Sequence, residues 1–234
     1  MSLFVKYLMM KFIFQSAVIV VFFKSLSAYY HPYQKQHHPI IEKNENIEEF
    51  KVDYQRYDRE TNEYFDEIAM YSEFSDSRRM SPFRWTTDMK IYVDGEKPDY
   101  LILELNHIVT ELNNLIDPIQ IRVVDQKQDA NYNIFLGSKT EFADRYSSID
   151  KNKLERNWGY FELYPNSGVM YVDLERTSFN YDAQKHLLRE ELTQSLGLLN
   201  DSWKYPESIF YQGWTTTTEF SEMDKRLIDL IYNK

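Results

Sequence analysis

In the last third of the chain, side chains able to hold protons or metal ions recur at helical spacing. His186, Glu190 and Gln194 follow one another in steps of four, and Glu191 adjoins Glu190. At about 100° per residue, Leu188, Leu192, Leu196 and Leu199 fall on a different arc of the same segment. Gly197 breaks the pattern, and Asn200-Asp201 leads the chain away, as helix ends do. The oxygen donors Glu190, Gln194, Asn200 and Asp201 suit calcium or magnesium better than zinc, because amide oxygens are weak zinc ligands. His186 stands four residues before Glu190, the spacing of two ligands on one helix face. A surface histidine bonded to Glu190 across one turn is the simpler expectation. Acid–base work by Glu190 and Glu191 together is disfavoured, since neighbours on a helix diverge by about 100°. Such a dyad would need Asp201 or Glu207 from outside the helix. With only six glycines, no phosphate-cradling loop stands out, and no Ser/His/Asp pattern does either.

The run Glu190-Glu191-Leu192-Thr193-Gln194, then Gly197 and Asn200-Asp201, resembles the motif of the metzincin zinc peptidases, H-E-x-x-H-x-x-G-x-x-H/D. That resemblance places Glu191 on the general base and Gly197 on the glycine where the chain leaves the helix. It puts the three ligand positions on Glu190, Gln194 and Asn200. Ser208-Ile209-Phe210-Tyr211 resembles the methionine turn that follows, with Phe210 in the methionine's place. The same residues are similar to an uncharacterised family, the domain of unknown function 2927, over roughly Phe83 to Tyr232. What these resemblances imply is an α+β, zincin-like fold. It would have a mixed sheet with a packed helix, a central active-site-type helix, a methionine-turn-like segment and a C-terminal helix. They also imply an antiparallel edge strand before the central helix, of the kind that binds extended peptide.

Function does not follow directly, because the ligand positions lack histidine. No cofactor is expected, with zinc or calcium the metals left open. Instead, Glu190 or Glu191 is expected to accept hydrogen bonds from the amides of Ser208–Tyr211, and Gln194 to bridge the helix to that turn. The leading expectation is a non-proteolytic binding or cell-envelope module, using a cleft lined by the hairpin edge and the Glu190/Gln194 face. The alternative is a metal-dependent hydrolase of peptide or peptidoglycan-like substrates, with Glu191 as general base and a non-standard ligand set. A third reading is a structural protein whose cleft is closed by Phe210 and Trp214.

The compartment is read from the N-terminus. Lys6 and Lys11 precede an apolar run from Phe12 to Phe23, and Ser25, Ser27 and Ala28 follow. This is the order of a secretory signal peptide, residues 1–28, and implies a secreted or periplasmic protein without a stable membrane anchor once cleaved. An uncleaved anchor from Leu3 to Phe23 would place Lys6 and Lys11 inside the span, at a high cost per charge. There is no cysteine, so stability has to come from packing. The net charge is −10, and cleavage after Ala28 removes three lysines and no acid. That balance argues against nucleic acid as a partner and leaves a protein, a peptide or an envelope polymer.

The elements that must position the polar cluster are legible in outline. Tyr29–Asn46 reads as an extended leader, Ile47–Phe74 as one or two amphipathic helices, and Ser75–Pro82 as a linker. Together 29–82 form an expected N-terminal extension, with the main domain at 83–234. Strands are expected at Met89–Val93, Ile119–Val124 and Tyr132–Leu136, and a helix over Pro98–Ile116, whose leucines step by three and four. Within that helix, His107 is expected to be half-buried and structural. Trp158–Tyr164 and Val169–Leu174 should form a hairpin through Pro165-Asn166-Ser167-Gly168. The central helix is expected over Asn180–Leu198, and a closing helix over Ser221–Tyr232, where Ser221 and Asp224 form a capping-box-like start.

Overall fold

The computed structural model describes residues 50–71, 77–149 and 151–232. The expected signal segment and the leader Tyr29–Asn46 lie outside these residues, as do Ser75 and Asp76 of the expected linker. No helix among the described residues is long and apolar enough to cross a membrane.

Alternating apolar residues make the sheet, and the helices between them cover it. The order begins with α1 (Arg59–Ala69), β1 (Met89–Gly95), α2 (Asp99–Leu115), β2 (Ile121–Val123) and β3 (Tyr132–Gly137). It continues with α3 (Lys139–Arg145), α4 (Lys151–Arg156), β4 (Gly159–Tyr164), β5 (Ser167–Asp173), α5 (Tyr181–Gln194) and α6 (Glu222–Tyr232). The sheet runs β2-β1-β3-β5-β4. Its first four members are parallel, and β4 alone is antiparallel, at the edge beside β5. This is the α+β arrangement expected, a mixed sheet with packed helices and an antiparallel edge strand ahead of the central helix.

Local chemistry sets the element ends. Pro98 precedes α2 in extended conformation, and Ile116 ends it. The Lys139–Arg156 stretch forms two short helices, the first opened by a capping box between Ser138 and Glu141. The hairpin loop is only Pro165-Asn166, two residues rather than four, with Asn166 at positive φ after a proline, the pattern of a type II turn. Asn180 caps α5 by accepting from the amide of Ala183. Ser221 and Asp224 exchange the reciprocal bonds expected at the start of α6, at 3.1 and 2.8 Å.

An amphipathic helix lies within the expected extension. Of the amphipathic spacing over Ile47–Phe74, only Arg59–Ala69 is helical among the described residues. That helix is no appendage: Tyr64, Phe65 and Ile68 are fully buried, and the Tyr64 hydroxyl bonds the Ser208 hydroxyl at 3.1 Å. Asn200 closes its C-terminus, its amide donating to the Ile68 carbonyl and its side chain to that of Glu67. The packed unit therefore includes residues upstream of Phe83.

The C-terminal end of α5 is closed by residues distant in sequence. A helix leaves its last carbonyls without intrahelical partners. The Trp85 indole donates to Ser195 O at 2.9 Å, and the Tyr232 phenol donates to Leu196 O at 2.8 Å while accepting from the Trp85 amide. Gly197 then turns the chain at φ +124°, and a β-carbon there would lie 2.0 Å from the Phe83 carbonyl oxygen. Gly197→Ala should therefore lower unfolding free energy by more than about 1 kcal/mol, read as a lower urea midpoint at unchanged slope; an unchanged midpoint would contradict this packing.

Candidate functional site

From His186 onward helix α5 is buried on all sides. Leu188, Leu192, Leu196 and Leu199 are inaccessible as expected, and so is the polar arc that was expected to line a cleft. His186, Glu190, Glu191 and Gln194 all have 4% exposure or less. Polar groups placed so deeply have to be satisfied by the protein itself: His186 pairs with Glu190, and Gln194 with Asp201.

His186 is not the surface residue expected. Its Nδ1 lies 2.7 Å from the carbonyl oxygen of Thr217, which can only accept, so Nδ1 carries hydrogen. Nε2 then faces Glu190 Oε2 at 3.2 Å. His186 thereby links Glu190 on α5 to the segment before α6.

One turn on, Gln194 Nε2 donates to Asp201 Oδ1 at 2.5 Å. The residue meeting Gln194 is thus Asp201, one beyond the position the motif alignment selected, while Asn200 faces α1. Glu191 diverges from Glu190 as helical geometry requires. Its carboxyl lies against the backbone of β4, where a β-carbon on Gly159 would be 2.2 Å from Oε1. Nearby, the Tyr132 phenol bonds the Ser195 hydroxyl, which also donates to Glu191 O. Burial pushes the Tyr132 phenol well above its ordinary range.

The Ser208–Tyr211 turn does not depend on α5 for its bonds, contrary to expectation. Ile209 N donates to Asp224 Oδ2, Phe210 N to Ser208 Oγ, Tyr211 N to Ser208 O, and Ser208 N to Tyr205 O. Gln194 does not bridge to this turn. Asp224, fully buried at the start of α6, organises it, taking the Ser208 hydroxyl as well. Phe210, in the methionine's place, is fully buried.

Sequence reasoning missed Arg189. Its guanidinium has no exposure, with Nη1 on Glu111 Oε2 at 2.5 Å and Nη2 on Glu104 Oε1 at 2.9 Å. It also lies 4.5 Å over the Phe220 ring. His107 joins this group from its exposed side: Nδ1 accepts from Arg189, and Nε2 lies 3.8 Å from Glu111. The signal was a charged residue inside an otherwise buried helix, but its partners lie on another helix.

The edge expected to receive peptide is closed. From Gly159 to Leu163 every residue of β4 is buried, and only Tyr164 is exposed. A cavity of about 550 Å³ lies elsewhere, beside the opposite end of α5 and the carboxyl ends of the parallel strands. Gln184, Tyr100, Glu96, Glu141 and Glu175 are among its walls.

These residues do not fit the zinc that the metzincin resemblance implies. Glu190 is committed to His186, Gln194 turns N–H groups toward Asp201, and Asn200 points away. Gln194 Oε1 is buried and has no hydrogen-bond donor among the described residues, but a single amide oxygen is a weak zinc ligand. Among the described residues, no three His, Cys, Asp or Glu side chains are placed to hold a metal ion.

The fold and site define an α+β protein whose central helix carries a buried, internally paired polar face. A family model described as protein of unknown function, DUF2927, matches residues 58–234, and the chain belongs to that family. The match begins at α1, upstream of the boundary expected from sequence. No curated protein matches the chain. Two solved structures of myroilysin are similar to it. One has 14% identity and a TM-score of 0.40, covering 64% of this chain and 96% of that one. The other has 11% identity and a TM-score of 0.43, covering 70% and 89%.

Two outcomes follow from the pairings. Gln194→Leu removes the donor to Asp201 Oδ1 and should cost about 1–3 kcal/mol, seen as a Tm lower by several degrees; an unchanged Tm would show that the bond contributes nothing. Burial pushes the Asp224 carboxyl above its ordinary value, while bonds from Ser208, Ser221 and Ile209 pull it back. A raised folded pKa means the folded state binds more protons, so this group's contribution falls as pH rises from 3.8 through the raised value. The stability of wild type relative to Asp224→Asn should therefore decline across that window in denaturant titrations at stepped pH, and a flat difference would contradict the assignment.

Proposed function

We propose that this chain is a secreted or periplasmic binding module that carries a degenerate peptidase motif and does not hydrolyse peptides. One observation supports this most directly. Glu190 and Gln194 are buried, and the side chains at all three ligand positions are engaged with the protein's own groups: Glu190 with His186, Gln194 with Asp201, Asn200 with α1. A peptidase built on this helix would need a water-accessible metal and a general base beside it. Glu191, which the resemblance places in that role, is instead fully buried against Gly159.

Export is inferred from the charged, apolar and small-residue order of the N-terminus, and without cysteine an exported chain has to hold itself together by packing. The partner is a protein, a peptide or an envelope polymer. The net charge of −10 argues against nucleic acid. Binding does not use the hairpin edge or the Glu190/Gln194 face, because both are closed, and the surface for it lies elsewhere on the domain.

The test is elemental analysis of the mature protein, purified without chelators or a histidine tag, beside a peptidase assay. The expected result is metal far below one equivalent, cooperative thermal unfolding, and no cleavage by wild type or Glu191→Gln. Metal near one equivalent, lost together with activity in Glu190→Ala or Gln194→Ala, would overturn the reading.

A further inference from the structure

The order of the strands leaves an opening at the carboxyl ends of β1 and β3. From β1 the chain crosses to β2 on one flank of the sheet, and from β3 it goes on to β4 and β5 on the other. Connections that part in this way leave a crevice between them, where ligands of open parallel sheets bind. The cavity of about 550 Å³ lies here, within the size range of small-molecule sites. Its walls come from the ends of several elements. Glu96 follows β1, Glu175 follows β5, and Tyr100, Glu141 and Tyr181 stand in the first turns of α2, α3 and α5. Gln184, buried at the back, is fixed on both sides. Its Oε1 accepts from the Tyr100 phenol, and its Nε2 donates to the carbonyls of Thr177 at 3.1 Å and Leu174 at 3.4 Å. The rings of Tyr100 and Tyr181 are in contact, with centroids 4.8 Å apart. This wall is in place before any ligand arrives, which lowers the ordering cost of binding.

Three carboxylates and no basic side chain line the cavity. Basic residues lie close to each acid in sequence, yet the structure turns every one of them elsewhere. Lys97, next to Glu96, holds its Nζ 4.9 Å over the Tyr92 ring. Lys139 and Arg145, on the same short helix as Glu141, pair with Glu155 and Asp94. Arg176, next to Glu175, is taken by Asp173 and by the carbonyls of Leu154 and Asn157. Glu96 and Glu175 are left without an ion-pair partner among the described residues. Helices α2 and α5 also begin at the cavity, but Asp99 and Asp182 in their first turns offset the positive ends of the helix dipoles.

We infer that this cavity binds a linear polyamine, a chain of methylenes carrying three protonated amines. A small molecule of this kind goes beyond the binding-module reading, which names a protein, a peptide or a polymer, and does not depend on it. A single divalent ion does not match, because among the described residues no three acids are placed to hold one. Charges spread over several element ends call for a ligand whose charges are spread as well. A triamine supplies one ammonium for each of Glu96, Glu141 and Glu175. Its methylenes pack against Tyr100 and Tyr181, whose ring faces also attract the ammonium groups.

The test is titration calorimetry of the full mature chain with spermidine, putrescine and calcium chloride. Physiological ionic strength is used throughout, since it screens attraction to distant charges. One equivalent of spermidine is expected to bind, more tightly than putrescine, which has one amine fewer. Glu96→Gln and Glu175→Gln should each weaken spermidine roughly two- to fivefold, and the double variant should weaken it by about tenfold or more. The Tm of the ligand-free protein should not change in these variants, because both side chains are exposed. Glu207→Gln removes an exposed charge outside the cavity and should leave the affinity as it is. An equal loss in Glu207→Gln would reduce the effect to net charge and overturn the site. So would a failure of spermidine to bind, binding that survives the double variant, or one equivalent of calcium that displaces spermidine. A lysine-rich peptide that requires Glu96 and Glu175 while spermidine does not bind would overturn it too. None of these outcomes bears on the non-proteolytic reading, which the metal and peptidase measurements test.

Discussion

Burying a guanidinium obliges the protein to bring carboxylates to it, and in this fold Arg189 decides which helices meet. Glu104 and Glu111 come from α2, and Phe220 lies against its face just ahead of α6. Removing one partner of a buried pair typically costs about 3–5 kcal/mol, because the other charge is left without compensation. The contact therefore does more than hold two helices together. It fixes the rotation of α5, since only one setting presents Arg189 to both glutamates. Once that rotation is set, the leucines face the sheet, Glu191 faces Gly159, and His186 faces Thr217.

The same rotation explains why the motif-bearing face has no opening to solvent. His186 draws the 217 segment across one part of α5, and Asp201 returns beside Gln194 at another. Neutral and charged hydrogen bonds take the space in which convergent imidazoles would be required for zinc. The turn carrying Phe210 is independent of this arrangement, because Asp224 supplies its acceptors from α6. Binding surfaces on such a fold then fall to the periphery, where the loops are anchored from beneath but their outer side chains are unconstrained by the core.

Much of the architecture was legible in the sequence, for physical reasons that apply locally. The leucine steps over Pro98–Ile116 and the alternation in Met89–Val93 report burial on one face, and the structure buries those faces. Ser221 and Asp224 signalled a helix start through contacts only three residues apart. Pairings across long separations were not legible. Glu111 and Glu104 lie 78 and 85 residues before Arg189, and no local pattern selects them from among the chain's other acids. The polar site shows the same limit at finer scale. Asn200 was aligned with a ligand position, but the chain after Gly197 turns so that Asp201 meets Gln194 while Asn200 closes α1. Burial of His186 was likewise hidden, because the segment that covers it has no periodicity of its own. A linker-like composition before Phe83 says nothing about where the preceding helix docks, so the contact of α1 with the Ser208 turn was not legible either.

The closure of α5 by Trp85 and Tyr232 also bears on how the chain reaches its native state. These contacts join positions 147 and 36 residues apart, and the hydrogen bond from Tyr64 to Ser208 spans 144. During synthesis, the end of the central helix cannot be completed until residue 232 has been made. Up to that moment the Leu196 carbonyl and the backbone amide of Trp85 remain available to water or to other chains. Sequence-distant closure of this kind slows folding, because the entropy of a long loop is lost before the contact forms. A polypeptide arranged in this way passes through most of its biosynthesis with the end of its principal helix unfinished.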